Sequence, residues 1–256
     1  MPEANPIVCI VTVSYNARDT IERTITGVLD QTYPRIEYVL VDGASTDGTA
    51  DIVRAYGSRV AAWASEPDGG IADAMNKGLA RSTGELVLFL HADDYLHDER
   101  AIASAVEAMA GAEADIYAFD ILFGGSVNLS RLRPRGFTWH MYFKTGVFHQ
   151  AAFCRRSLFE KIGDFDTQFR IAMDYDFFLR AYRAGATLQR IPAAFSVMRD
   201  TGISSRRDWA SLGERFREER AVQAKASPGR AMQAVYSAYW PAYLAYRRVR
   251  AALRSG

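Results

Sequence analysis

Cysteine is scarce in this chain of 256 residues: only Cys9 and Cys154 occur, each in an apolar stretch. Two thiols so far apart suit neither a metal-ligand pattern nor a disulfide framework, so both are expected to be buried free thiols. No uninterrupted apolar run of about 18 residues is present, which excludes a membrane-spanning helix. The segment 1–6 is short and polar and carries an acid, unlike the basic start of a secretion signal, so the expected compartment is the cytoplasm. Three short signatures are also missing. No Gly-x-Gly-x-x-Gly follows the first apolar run, no Gly-x-x-x-x-Gly-Lys-Ser/Thr occurs, and no Gly-x-Ser-x-Gly occurs. Their absence argues against a nicotinamide enzyme, a P-loop nucleotide hydrolase and a serine hydrolase. Acids are missing from Arg220 onward, where seven Arg or Lys residues fall. The formal net charge of +1 gives no global reason to expect nucleic acid as a partner.

The chain's length suffices for one large α/β domain, or one domain with a small appendage, and 49% hydrophobic with 24% charged residues is ordinary for a globular enzyme. Apolar β-branched runs at 7–14, 36–41 and 85–90 read as strands buried on both faces. Helical spacing over 17–29, 48–56 and 71–80 alternates with them, and a short strand is expected over 59–64. Asp47 or Thr46 is the expected N-cap of the helix over 48–56. The alternation predicts a mostly parallel sheet flanked by helices. Further on, 98–110 and 173–184 read as helices, and 115–123, 147–155 and 187–198 as strands. Residues 124–136 read as a hairpin or loop. From about Arg206 the pattern is helical, with a break expected at Trp240-Pro241 because proline cannot continue a helix.

Four polar clusters fall just after buried strands: Tyr15-Asn16, Asp42-Gly43, Asp68-Gly69 and Asp93-Asp94. In a parallel α/β sheet the C-terminal strand ends gather at the edge where ligands bind. Turn chemistry accounts for any one of them, but all four together point to a site. Within His91-Ala92-Asp93-Asp94, two adjacent carboxylates at a strand end repel each other. A divalent cation bridging to phosphate oxygens would relieve that. A solvated turn, with Asp94 capping a helix that begins near Leu96, is the other reading of the same residues.

Four segments together resemble glycosyltransferase family 2: TVSYNARDTIERTITGVLDQTY, VLVDGASTDGT, EPDGGIADAMNKGLARSTGELVLFLHADD and HQAAFCRRSLFEKIGDFDTQFRIAMDYDFFLR. The resemblance spans about residues 7–205, and its GIADAMNKG and HQAAFCRRSLFEKIG blocks look most like enzymes of bacterial exopolysaccharide, lipopolysaccharide or glycolipid assembly. It implies a GT-A fold over 1–205, with a nucleotide-sugar half (about 1–97) and an acceptor half (98–205), followed by a C-terminal helical extension (206–256). It implies an inverting transfer from a nucleotide-diphosphate sugar to a hydroxyl of a glycan or lipid-linked acceptor, with Mn²⁺ or Mg²⁺. Thr12, Tyr15 and Asp42 would hold the nucleotide, Asp42 accepting from the base. Asp68 and the helix after Gly69-Gly70 would face ribose and diphosphate, and Lys77 could reach the diphosphate or simply lie on the surface.

On the same resemblance Asp94 is the direct metal ligand, and Asp93 points to ribose or a metal-bound water. Asp174 stands where the family has its general base, while Met173 replaces the family's usual Glu. Asp176, two residues on, would point elsewhere on the helix and be structural. His91, and His149 with Gln150, would line the acceptor pocket or support the metal, or else pack as ordinary strand-end residues. Gly202-Ile203-Ser204 resembles the family's element near the diphosphate. Two rival functions share these residues: a polyprenyl-phosphate sugar synthase, which needs no base, and a non-catalytic nucleotide-sugar-binding protein. In the tail, 234–254 mixes aromatics with four arginines and no acid. That suits the inner face of an anionic membrane, although the aromatics could instead pack on the catalytic domain or on a second copy in a homodimer.

Overall fold

The structure is a computed structural model that describes residues 5–125, 128–200, 208–227 and 229–255, the last five of these by main chain only. Alternating apolar residues split each central strand between two cores. In β1 (Val8–Ser14), Cys9, Val11 and Val13 enter one core, whereas Val8 and Ile10 enter the other. In β4 (Leu86–Phe89), Val87 and Phe89 join the first, and Leu86 and Leu88 the second. A period of two with both faces apolar is what a sheet covered by helices on each side requires.

Among the described residues nine strands form one sheet. β2 (Ile36–Asp42) and β3 (Ala62–Ser65) extend it parallel to β1 on one side, and β4 lies parallel on the other. The strand order β3-β2-β1-β4 therefore reverses direction of travel between β1 and β4, where a ligand crevice opens in folds of this kind. Beyond β4 come β8 (Ala152–Arg155), antiparallel, then β6 (Ile116–Gly124), β9 (Leu188–Met198) and β5 (Tyr95–Leu96). β7 (Leu129–Leu132) pairs antiparallel with the end of β6, Ile121 to Gly124, which fits the hairpin expected there.

Helices α1 (Ile21–Leu29), α2 (Thr49–Ala55), α3 (Ile71–Ala80) and α4 (Ala101–Met109) follow the first strands in alternation. α5 (Arg156–Ile162) and α6 (Met173–Arg183) follow β8. α3 packs so closely on β1 that a Cβ at Gly78 would stand 2.2 Å from Val11 Cγ1. The two thiols are buried and unpaired, as expected, and burial pushes Cys9 up to about 12.

Four local expectations differ from the fold. α1 starts at Ile21 rather than Ala17, because the preceding loop gives its N–H groups to side chains: Asn16 to Ser45 Oγ, Ala17 to Thr49 Oγ1, Arg18 to Asp47 Oδ2. Gly48, at φ 98°, takes the N-cap position of α2, while Asp47 Oδ1 still accepts from the Thr49 N–H at 3.0 Å. Asp94 caps no helix, since Tyr95–Leu96 pair with β9 as a strand and α4 begins at Ala101. The tail does not break at proline. α7 (Trp209–Lys225) is followed by α8 (Arg230–Ser255), which runs through Pro241. Pro241 and Ser237 are both exposed, so the carbonyl left without an N–H faces water.

All of the tail aromatics but the exposed Tyr246 pack inward. Phe216, Tyr236 and Trp240 form a third apolar cluster. Tyr236 donates to the Tyr142 carbonyl at 2.8 Å, and Trp240 Nε1 to Gln223 Oε1 at 2.7 Å. Among the described residues no helix is long and apolar enough to cross a membrane.

Candidate active site

The C-terminal ends of β1 and β2 build one wall of the crevice. Asp42 closes β2 and is fully buried. Its Oδ1 accepts from Ser14 Oγ (3.0 Å) and Ser45 Oγ (2.5 Å), and its Oδ2 from Ser45 N (2.9 Å) and Ser65 Oγ (2.7 Å). A carboxylate has about four lone-pair sites, and all are filled. Asp42 thus ties the turns after β1, β2 and β3 together, and in this arrangement nothing remains with which to accept from a base. Thr12 is also fully buried, one turn of the pleat deeper, with its hydroxyl accepting from Tyr38 OH at 3.1 Å. It does not reach the crevice surface. Tyr15 does, at 67% exposure.

Gly43 brings Tyr15 and Asp68 together. A Cβ at this position would lie 2.4 Å from Asp68 Oδ2 and 3.3 Å from Tyr15 Cδ2, so only glycine leaves both groups in place. Asn16 (φ 48°) and Ala44 (φ 57°) hold left-handed backbone on either side. Such backbone in residues with a Cβ clusters at functional sites. Asp68 Oδ1 receives the Gly70 N–H at 2.8 Å at the start of α3. Lys77 turns back on this loop: its Nζ donates to the Pro67 carbonyl at 2.8 Å and lies 3.1 Å from Asp73. It braces the turn that carries Asp68.

The strand end after β4 builds the other wall. Leu90 and Ala92 donate to the carbonyls of Val11 and Val13 and so prolong the β1–β4 ladder. Thr24 of α1 donates toward the carbonyls of Ala92 (3.1 Å) and Asp94 (2.7 Å), fixing the acidic turn from behind. Asp94 is buried, and burial together with the adjacent Asp93 raises its carboxyl well above the usual range. Asp93 is raised less severely, by burial, with Arg199 opposing.

Two histidines complete the cluster. His149 leaves the sheet in a short 3-10 turn (His149–Ala151) where sequence periodicity suggests continuous strand. Its ring lies 4.4 Å from that of His91, centroid to centroid. Nitrogen atoms of both and a carboxylate oxygen of Asp94 lie within 4.8 Å of one another. Nε2 of each histidine is buried without a hydrogen-bond partner. Burial, and the second imidazole, hold His91 well below its ordinary value, which keeps it in the neutral form that binds metals. Buried orphan nitrogens beside a repelling carboxylate pair fit a divalent cation, which would satisfy the nitrogens and offset the acids. Asp93 and the buried Gln150 lie outside that trio.

Asp174 approaches from the other half of the chain. It is the second residue of α6, with one oxygen accepting its neighbour Tyr175 N–H at 2.7 Å and the other 3.5 Å from His149 Nδ1. Asp176 is buried and bonded to Arg180 and Lys225. Asp94, His91, His149 and Asp174 therefore converge from positions far apart in sequence, whereas Thr12, Asp42 and Gln150 lie beneath the surface. Sequence reasoning did not single out Thr24, Ser45, Ser65 or Arg199. An isolated hydroxyl or Arg carries no pattern of its own. The Gly202-Ile203-Ser204 element lies outside the described residues.

The mixed sheet of this order with helices on both faces places the chain in the GT-A class of α/β fold. The chain belongs to glycosyl transferase family 2, whose description matches residues 9–187. It is 36% identical over 211 residues to an uncharacterized glycosyltransferase of Mycobacterium tuberculosis, covering 79% of each chain. A PGL/p-HBAD biosynthesis glycosyltransferase of the same organism is 31% identical over 198 residues, covering 73% of this chain and 74% of the relative. Two solved structures share the fold. Staphylococcus aureus TarS 1–349 in complex with UDP superposes with a TM-score of 0.67 at 19% identity, over 86% of this chain and 64% of that one. The Pyrobaculum calidifontis mannosyltransferase PcManGT, in complex with GDP-Man and Mn²⁺, superposes with a TM-score of 0.62 at 22% identity, over 98% and 85%.

Proposed function

We propose that the chain transfers a sugar, with inversion, from a nucleotide-diphosphate sugar to a hydroxyl of a glycan or lipid-linked acceptor in cell-surface polysaccharide or glycolipid assembly. The observation that carries this reading is the convergence of His91, Asp94, His149 and Asp174 at the end of the sheet that also carries Tyr15 and Asp68 after β1 and β3. The PGL/p-HBAD relative supports a glycolipid setting, and the ligands of the two structural neighbours support the donor class.

In this reading Tyr15 offers its ring to the nucleotide and Asp68 faces ribose, while Asp42 acts indirectly by holding Ser45 and Ser65. Asp174 accepts the proton of the acceptor hydroxyl as its oxygen attacks the anomeric carbon from the face opposite the diphosphate. The bond to the diphosphate breaks with its electron pair staying on the nucleoside diphosphate, so a single displacement inverts the anomeric centre. His91, Asp94 and His149 would hold a divalent cation, with Asp93 beside it. Such an ion supplies Lewis-acid neutralisation of the departing diphosphate. Two imidazoles in the donor set favour a first-row transition ion over Mg²⁺, and the neighbour in complex with Mn²⁺ supports Mn²⁺.

A thermal-shift series with UDP, GDP and their sugars, with and without Mn²⁺, tests the donor. The melting temperature should rise with one nucleotide diphosphate, and rise further when Mn²⁺ is added. No stabilisation by any of them in Mn²⁺ would overturn the donor assignment.

The membrane part of the reading rests on α8's outer surface, since Tyr236, Tyr239, Trp240 and Tyr243 are used for internal packing. Val235, Tyr246 and Val249 are exposed there, alongside Arg248 and Arg250. The absence of acids along the tail favours anionic lipid over the equally basic tail of a second copy. Full-length protein should co-sediment with phosphatidylglycerol-containing vesicles, and Val235→Glu with Val249→Glu should abolish this. Equal sedimentation of both proteins would remove α8 from the interface.

A further inference from the structure

We propose that Glu218, in the C-terminal helical extension, is a positioning residue for the transfer, holding Asp174 in place; this rests on the assignment of Asp174 as base. The turn leading into α6 presents consecutive main-chain N–H groups that the helix itself cannot satisfy. The Glu218 side chain reaches across from α7 and takes them: Arg170 N at 3.1 Å on Oε1, Ile171 N at 2.7 Å and Ala172 N at 2.8 Å on Oε2. Hydrogen bonds to an ionised carboxylate are about twice as strong as neutral ones. The last of these residues is two positions before Asp174, so the contact sets where the first turn of α6 begins.

A second contact from the same helix reinforces the first. Lys225 lies seven positions after Glu218, two turns along α7, and so projects from the same face. Its Nζ joins Asp166 Oδ2 at 2.7 Å and the buried Asp176 Oδ1 at 2.9 Å. The other oxygen of Asp176 holds Arg180 Nε at 2.7 Å, and the Arg180 guanidinium donates to the carbonyls of Ile162, Gly163 and Asp164. The loop between α5 and α6 is thus pinned at its start through Arg180, in its middle through Asp166, and at its end through Glu218. Asn76 of α3 adds a pair of bonds to Phe165 main chain. A base must sit within about 0.5 Å of its productive position. Among the described residues, Asp174 has only its Tyr175 N–H and a distant His149 nitrogen to orient it. Its placement therefore depends on the loop, and the loop on α7.

The test uses the full chain with Glu218→Ala, Glu218→Gln, Asp174→Asn and the double variant Glu218→Ala/Asp174→Asn. Displacing a catalytic group by about 1 Å costs on the order of 100-fold in rate. Glu218→Ala should therefore lower kcat about 10- to 100-fold, with the donor KM and the thermal shift by nucleotide diphosphate unchanged. Glu218→Gln keeps one acceptor oxygen and should lose less. In the Asp174→Asn background the Glu218 change should cost nothing further, because residues acting through one another are not additive. An undiminished kcat in Glu218→Ala, an equal loss in donor binding, or full additivity in the double variant would each overturn the inference. If Glu218→Ala does not fold, Glu218→Gln and its double with Asp174→Asn carry the same comparison. An active Asp174→Asn overturns the base assignment, and this inference with it. An inactive Asp174→Asn beside an unaffected Glu218→Ala overturns this inference alone.

Discussion

Asp174→Asn should lower kcat by about two to four orders of magnitude, the range that a positioned general base contributes. The side chain keeps its size and can still accept the Tyr175 N–H that Asp174 receives at 2.7 Å. Folding and donor binding should therefore be preserved. The geometry also raises a second role for the same carboxylate, which lies 3.5 Å from His149 Nδ1. Carboxylates that orient a metal-bound imidazole typically cost about 10- to 100-fold in metal affinity when removed. Titrating Mn²⁺ by thermal shift separates the two roles. A large fall in kcat with an unchanged Mn²⁺ midpoint supports the base. A fall in kcat no larger than the weakening of Mn²⁺ binding would reassign Asp174 to orienting His149. Undiminished transfer would remove it from the mechanism and revive the polyprenyl-phosphate acceptor, which requires no base.

Asp94→Asn should have an equally large effect, of opposite sign in stability and activity. Several kcal/mol of charge stabilisation is expected from a metal Lewis acid, about a thousandfold in rate. Activity and the stabilisation by Mn²⁺ should both be lost. With chelator present the variant should instead be more stable than the wild type at neutral pH. Burial and Asp93 raise the Asp94 carboxyl well above its ordinary value. The folded state therefore binds a proton more tightly there than the unfolded state does. Stability is fully present below the unfolded pKa and falls as pH rises through the folded one. Metal-free wild type should lose stability as pH increases across that window, and Asp94→Asn should lose that part of the slope. Unfolding by urea at several pH values, in EDTA, measures it. Parallel slopes for the two proteins would show that Asp94 is not ionising against a penalty.

The rivals left by sequence reasoning differ in these same experiments. A non-catalytic binding protein would respond to nucleotide and metal by thermal shift, yet transfer nothing in wild type. The glycosyltransferase family, shown by the match over residues 9–187, already weighs toward catalysis. The cluster adds a physical reason, because two buried imidazole Nε2 atoms without hydrogen-bond partners are costly to keep unless something satisfies them.

Much of the fold was legible because the relevant signals are local. The apolar alternation of β1, β2 and β4 and the helical spacing of α3 can be read within a window of about ten residues. α3 lies over Ile71–Ala80, the span its sequence pattern marks. The acidic turn after β4 was also legible as a cluster, although whether it capped a helix or faced a cation was open. Tyr95 and Leu96 decided against the cap by pairing with β9, a partner about a hundred residues away that no local pattern reveals. Pro241 shows the reverse failure. A rule that holds for an isolated helix gave way where Trp240 and Tyr236 pack against α7 and the catalytic domain.

His91-Ala92-Asp93-Asp94 is the clearest division between the two sources. Sequence determined that an acid pair ends a buried strand at the ligand edge of the sheet, since both the strand and the turn are properties of neighbouring residues. The resemblance had marked Asp94 as the metal ligand, but only tertiary structure decided that His149 comes to His91 and Asp94, and that Asp174 and the Glu218 contact arrive beside them. Likewise, only the folded chain fills every lone pair of Asp42 with serines from three separate turns. Local patterning sets which residues stand at a strand end. Which oxygen and nitrogen atoms meet there depends on contacts between distant segments, and these exist only once both cores have packed.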